Sequence, residues 1–237
     1  MSQLRPAHAV IVLAVFLTAC APQLRESAPP TSIPSAPEGF PRSAYEQAMA
    51  QGKPVYRVQA ANSLVAITVR RGGALARFGH DHVVASHAVE GYVSPQEGRA
   101  DLYVPLNELT VDESALRAEA GLDTQPSAAD IAGTRSNMLG KVLETQTYPY
   151  ALIRVTGLDK NQMGMRLSVA ITLHGVTRTF ETAAQIATEG EGMNVSGLIE
   201  FNQSDFGIVP FSVFGGALQV QDHLSLRFKI HARQGRR

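Results

Sequence analysis

The stretch RLSVAITL, residues 166–173, decides the fold. Leu167, Val169, Ile171 and Leu173 share one face of an extended chain, while Arg166, Ser168, Ala170 and Thr172 share the other, because successive side chains of a strand point to opposite sides. Such alternation fits a half-buried β-strand and gives no helical stripe. Near the C-terminus Leu224, Leu226, Phe228 and Ile230 alternate in the same way with Ser225, Arg227, Lys229 and His231. Val195, Gly197, Ile199 and Phe201 repeat the pattern, and Ile153 with Val155 and Val65 with Ile67 and Val69 extend it less strictly. Turn chemistry separates the runs at Gly72-Gly73, at residues 161–164, at His174-Gly175 and at residues 189–192. The reading is a mainly β domain whose antiparallel sheet curls or closes into a barrel. A helix interrupts it: Ser127 to Asp130 is a start signal, and the run to Leu143 puts Ile131, Met138, Leu139 and Val142 near one face. Residues 112–121 fit a shorter helix. A closed barrel of about eight strands is either filled by its own side chains or wide enough for one small or elongated ligand. Alternation alone leaves both open.

The N-terminus carries a different signal. Arg5 is the one formal charge before an apolar run at residues 9–17, and small residues follow, which is the layout of an export signal. The run is too short to span a bilayer, which takes about 20 apolar residues. Leu17-Thr18-Ala19-Cys20 resembles a bacterial lipobox, whose cysteine is diacylated and becomes the new N-terminus. Cys20 is the sole cysteine, and acylation accounts for an exported thiol without a disulfide partner. Two acyl chains suffice for stable anchoring. With Ala21 next, the lipobox resemblance implies the outer membrane. The expected organisation is a signal peptide at 1–19, a lipid-anchored Pro-rich tether at 20–54, and a folded domain at 55–237. Within the tether Ser43 and Glu46 read as a capping box opening a short helix, closed by Gly52 and Pro54. With 21 basic and 21 acidic residues the formal charge is zero, so the composition offers no electrostatic grip on nucleic acid or anionic lipid.

Several motifs carry a resemblance. ITLHGVTR (residues 171–178), FNQSDFGI (201–208), TYP (147–149), the closing VQDHLSLRFKIHA (220–232) and the opening YRVQAANSLVAITVRRGG (56–73) are together similar to the YceI-like family of exported bacterial proteins. The resemblance covers nearly everything from Val55 to Ala232. It implies a lipocalin-like barrel with one or two helices packed against it. It also implies that an isoprenoid-type lipid, a polyprenyl diphosphate or a quinone tail, occupies an elongated pocket, which favours a cavity over a filled core. The chain departs from the family pattern in two places: RFGHDHVVASHAVEGYV (77–93) replaces a glycine-rich hairpin end, and TRSNMLGKVL (134–143) replaces a charged segment. A head-group contact made by that charged segment elsewhere is in doubt here.

FGHDH, residues 78–82, packs two imidazoles and a carboxylate into five residues. On a strand His80 and His82 share a side, as two ligands of one metal would, while Asp81 points away. Two ligands are half a site, since a catalytic zinc takes three protein ligands and a structural one four; His87, His174 or His223 would have to supply the rest. His174, in a hairpin turn, is expected to hydrogen-bond backbone. A nucleophilic enzyme needs a nucleophile, a base and an orienting group, and neither a GxSxG elbow nor a phosphate-binding glycine loop is present. The expectation is therefore a binding protein without catalytic residues, resident metal or cofactor, with metal binding or hydrolysis by the His80 and His82 cluster as the alternative. His80 and His82 then form polar trim at the rim of an apolar pocket, beside Phe78. Phe206, Phe211 and Phe214 either plug the core or gate the pocket, and Met138 and Leu139 form an opposite wall. The expected partners are an apolar lipid or quinone and, through Cys20, a membrane.

Overall fold

The structure is a computed structural model that describes residues 36–157 and 165–235. The export signal, the lipobox with Cys20, most of the Pro-rich tether and the turn expected at 161–164 lie outside the described residues. In chain order the elements are α1 (Arg42–Ala50), β1 (Tyr56–Val58), β2 (Leu64–Gly72), β3 (His82–Ser86), β4 (Glu90–Ser94), β5 (Arg99–Pro105), β6 (Thr110–Val111), α2 (Ser114–Glu119), α3 (Ala128–Asn137), β7 (Tyr150–Thr156), β8 (Met165–Leu173), β9 (Val176–Glu189), β10 (Gly192–Asn202), β11 (Ser212–Val213) and β12 (Leu218–Gln234).

Antiparallel pairing closes a ring in the order β1-β4-β5-β7-β8-β9-β10-β12, with β12 returning to β1. Strand β12 serves two partners: residues up to Lys229 pair with β2, and Ala232 to Gln234 pair with β1. The first two strands are thus one edge, bent at the 3-10 turn Ala60–Asn62. From β2 the sheet continues to β3 and then β6. On the far side β5 pairs with β7 as far as Pro105 opposite Tyr150. One more bond follows, from the Leu106 N–H to the Pro149 carbonyl at 2.9 Å; Pro149 has no N–H to return it, and beyond that point, among the described residues, β6 pairs with β3. The barrel is therefore split at one end between β6 and β7.

Helix α3 and the π-helical segment Met138–Val142 occupy that split. Ser127 and Asp130 form the expected capping box, and Ile131, Met138, Leu139 and Val142 pack against the core. Arg135 fastens the helix by donating from Nε to the Leu109 carbonyl (2.9 Å) and from Nη2 to the Asn107 carbonyl (2.6 Å). Helix α1 starts one residue earlier than the expected capping box, after Pro41, and no side chain caps it. It also belongs to the folded body, ahead of the Val55 boundary that composition suggested: Tyr45 is 1% exposed, stacks on Tyr92 at 5.2 Å and donates to Asp101 Oδ2 at 2.7 Å. The alternation appears as drawn, with Leu167, Val169 and Ile171 buried on the inner face of β8. At Gly197 a Cβ would meet Phe228 Cζ at 2.6 Å, so glycine in the inward row makes room for that ring.

Candidate functional site

The inward rows line a space without filling it. A cavity of about 620 Å³ runs through the barrel, within the range of about 300–1,000 Å³ usual for small-molecule sites. Val65, Ile67 and Val69 of β2, Leu167, Val169 and Ile171 of β8, and Leu224, Leu226, Phe228 and Ile230 of β12 are on its wall, with Met138 and Val142 across from them. The split between β6 and β7 is what leaves this room, because a helix laid against the opening keeps the two sheet edges apart.

Polar groups collect at one end, where His80, His82 and Arg71 line the cavity. His82 Nδ1 lies 2.6 Å from Asp112 Oδ2, which leaves Nε2 on the opposite edge of the ring. Asp112 Oδ1 accepts from the Val83 N–H (3.0 Å) and from Arg117 Nη1 (2.6 Å). Arg117 Nη1 also reaches the Asp81 carbonyl (2.7 Å), and Nη2 reaches Thr124 Oγ1 (3.0 Å) and the Thr124 carbonyl. The Asp112 side chain is fully buried. Burial pushes its carboxyl up, but the bonds from His82, Val83 and Arg117 outweigh that and hold it below the usual carboxylate range. The result is a fixed imidazole: a buried carboxylate sets the ring's orientation, and a buried guanidinium holds the carboxylate. Asp112 sits at φ 59°, a left-handed conformation that aspartate tolerates better than most residues.

His80 stands beside it, ring centroids 6.3 Å apart. Its Nε2 is 4.0 Å from Asp130 Oδ2, and its buried Nδ1 has no hydrogen-bond partner among the described residues. The expected strand begins only at His82, so His80 and Asp81 lie in the connection before it; Asp81 turns away from the pair and accepts from Arg70 Nη1 and the Arg71 N–H, both at 2.9 Å. The other three candidate histidines do not converge on this point. His87 pairs with Glu113 at 3.1 Å, and His223 lies 3.8 Å from Glu200 on an exposed surface. His174 packs its ring on Tyr148 at 4.5 Å and turns Nε2 toward Glu144 Oε1 at 3.7 Å, so among the described residues the expected backbone hydrogen bond is not made and Nε2 is buried without one. Among the described residues no three His, Cys, Asp or Glu side chains gather to hold a metal ion. The two-histidine alternative stays at half a coordination set.

Of the residues expected to contact a ligand, Phe78, His80, His82, Met138 and Phe211 line the cavity. Leu139 packs against the core next to it. Phe206 is fully buried in a cluster with Phe180 and Phe201 at 6.1 and 5.5 Å, so it plugs the barrel end and does not gate it. Phe214 is 77% exposed and points off the cavity wall, because its own φ of 52° and those of Gly215 and Gly216 turn the loop outward. Asp112 and Arg117 were not foreseen. They stand in a stretch that reads as the start of a short helix, and nothing local says that both side chains run inward to His82.

Comparison with known proteins agrees with this architecture. The family model of the YceI-like domain matches residues 56–232. A polyisoprenoid binding domain from Saccharophagus degradans, implicated in plant cell wall breakdown, aligns with 16% identity over 77% of this chain and 100% of its own, at a TM-score of 0.57. BcnA of Burkholderia cenocepacia aligns with 14% identity over 73% of this chain and 98% of its own, at a TM-score of 0.51. At these identities the likeness speaks for the fold. No curated protein matches the sequence. With the family model spanning the barrel from the start of β1 to Ala232 in β12, the chain belongs to the YceI-like family.

Proposed function

We propose that the protein binds one long isoprenoid-type lipid, tail along the cavity and head at the His80 and His82 end, and that it sequesters or ferries this lipid in the periplasm. The observation that carries the reading is the apolar cavity of about 620 Å³ ending in a small polar cluster. The structural relative described as a polyisoprenoid binding domain supports the ligand class. A tail burying roughly 500 Å² gains on the order of 12 kcal/mol at 25 cal/mol per Å², from which ordering and association remove a large share. Micromolar or tighter binding follows without special contacts. In this reading the protein works at the periplasmic face of a bacterial membrane, the outer one by its lipobox, held by acylated Cys20, and uses no cofactor.

Native mass spectrometry of gently purified protein, followed by lipid extraction, is expected to find a stoichiometric isoprenoid adduct. Empty protein that also fails to take up added polyprenyl or quinone lipids would sink the proposal. Replacing His80 and His82 together by alanine is expected to weaken discrimination among ligands that differ only at the head while tail binding persists; unchanged preference would remove the head from this end.

A further inference from the structure

Among the described residues, three of the four exposed large apolar side chains lie at one place, with Leu198 on β10 apart from them. Phe78 is 64% exposed, Val209 82% and Phe214 77%, and all three lie on two loops at the histidine end of the barrel. The loops are joined, since the Leu75 N–H donates to the Ala217 carbonyl at 2.8 Å and β11 pairs with the start of β12. They also frame the cavity's opening: Phe78 both lines the cavity and faces solvent, and Phe211 and Leu218 line it from the second loop. Exposed apolar groups gathered in this way mark an interaction site, whereas single scattered ones do not.

Two features say what the rim meets. First, the aromatics are flanked by cations. Arg77 Cζ lies 4.6 Å from the Phe78 ring centroid and Lys141 Nζ 5.7 Å from that of Phe211. Arg77 and Lys141 are both exposed, whereas the neighbouring Arg70 and Arg71 are paired with Asp81. Aromatic rings with basic groups beside them suit a membrane interface, where the rings sit at head-group level and the cations meet anionic lipid. Second, Phe214 is held outward by a left-handed backbone of its own, φ 52°, a conformation that is an outlier for a bulky residue. Strain of this kind persists where the surroundings enforce it and points to function.

We infer that the rim formed by Phe78, Val209 and Phe214, with Arg77 and Lys141, docks on an anionic phospholipid surface, so that an apolar ligand passes between bilayer and cavity without crossing water. The inference goes beyond the ligand reading and requires only that the cavity exchange its contents with a membrane. It concerns a surface distinct from the acylated N-terminus, and the test separates the two.

The sequence contains no tryptophan, so one introduced tryptophan reports by itself. Full-length protein carrying Phe214→Trp is compared with protein carrying Leu198→Trp, at an exposed position on β10 away from the rim. Both meet vesicles of phosphatidylethanolamine and phosphatidylglycerol with brominated acyl chains. The tryptophan at position 214 is expected to shift to the blue and to be quenched several-fold more than the one at 198. Adding Arg77→Glu and Lys141→Glu is expected to reduce apparent vesicle affinity through this site about tenfold or more. Equal quenching at both positions, as attachment through the N-terminus alone would give, overturns the inference, and so does absence of quenching at 214. Rim-selective quenching in protein that holds no isoprenoid by mass spectrometry would sink the ligand reading and leave the rim standing; a bound isoprenoid with no quenching at 214 would do the reverse.

Discussion

Removing Arg117 tests whether His82 is positioned by a buried relay. The Arg117 and Asp112 side chains are 4% and 0% exposed. Arg117→Met keeps the bulk of the side chain but leaves the Asp112 carboxylate with only His82 and the Val83 N–H, and strips the Asp81 and Thr124 carbonyls of a donor. Breaking a buried pair from one side costs about 3–5 kcal/mol, because the surviving charge stays desolvated. For a domain of this size that corresponds to a fall of roughly 6–20 °C in melting temperature. Asp112→Asn strands the guanidinium instead, while asparagine still accepts the left-handed backbone at φ 59°, so its cost reports charge and not strain. It is expected in the lower half of the same range. The double variant leaves no buried charge at this point, and its cost is expected to fall short of the sum of the singles by about 2 kcal/mol or more. Urea unfolding of the four proteins, read by circular dichroism, measures each term. Single costs below about 1 kcal/mol that simply add would show that the three groups are not one desolvated unit, and the argument for a fixed imidazole would fall.

Acid should weaken the fold through the same carboxylates. For Asp112 and Asp81 burial raises the carboxyl, but hydrogen bonds and cations outweigh it and leave both below the ordinary value, so their contribution is complete above the unfolded value near pH 4 and lost as pH falls through the folded ones. The urea midpoint is expected to hold steady above about pH 5 and to drop below that with a smaller slope in Asp112→Asn; an identical slope would exclude Asp112 from the transition. Val155 and Val169 face each other across β7 and β8 and both line the cavity, so Val155→Phe with Val169→Phe should abolish lipid uptake while costing no more than about 1–3 kcal/mol; uptake at wild-type level would place the ligand elsewhere. Tyr45→Phe removes a hydrogen bond to the buried Asp101 carboxylate and should cost about 1.5–3 kcal/mol in thermal unfolding, and no loss would mean that α1 is not a fixed part of the domain.

The barrel was legible because its signal is local. Leu167, Val169 and Ile171 alternate with Ser168, Ala170 and Thr172 in the sequence and line the cavity in the structure, and Ser127 with Asp130 marks the helix start where it occurs. What sequence did not show depends on contacts between distant residues. Tyr45 reaches Asp101 across 56 positions, which no reading of a Pro-rich N-terminal segment reveals. His82 reaches Asp112 across 30, and Asp112 to Arg117 looks like any acid and base at the start of a short helix. Phe206 and Phe214 stand in one motif, yet one is fully buried and the other 77% exposed. The difference is set by the left-handed run at residues 214–216, which composition signals only as a pair of glycines.

The split in the sheet connects these features. A ring closed along its whole height, with inward rows of Val, Ile, Leu and Phe, tends to fill its own interior. The β5 ladder with β7 runs out at Leu106 opposite Pro149, which has no N–H to donate, the chain crosses to pair β6 with β3, and the connection from β6 to β7 carries both α2 and α3. Helix α3 and the segment after it wedge the opening and keep the cavity vacant. Helix α2 presents Arg117, which with Asp112 just before it fixes His82 at the same end. The loops at 73–81 and 207–217, tied together above the gap, carry the exposed phenylalanines. An apolar chamber, an oriented imidazole and an adhesive rim thus arise from one interruption of pairing. Restoring the ladder past Leu106, for instance by replacing Pro149 with valine in a protein shortened through α3, should close the chamber along with the mouth that serves it, read as loss of lipid uptake in native mass spectrometry.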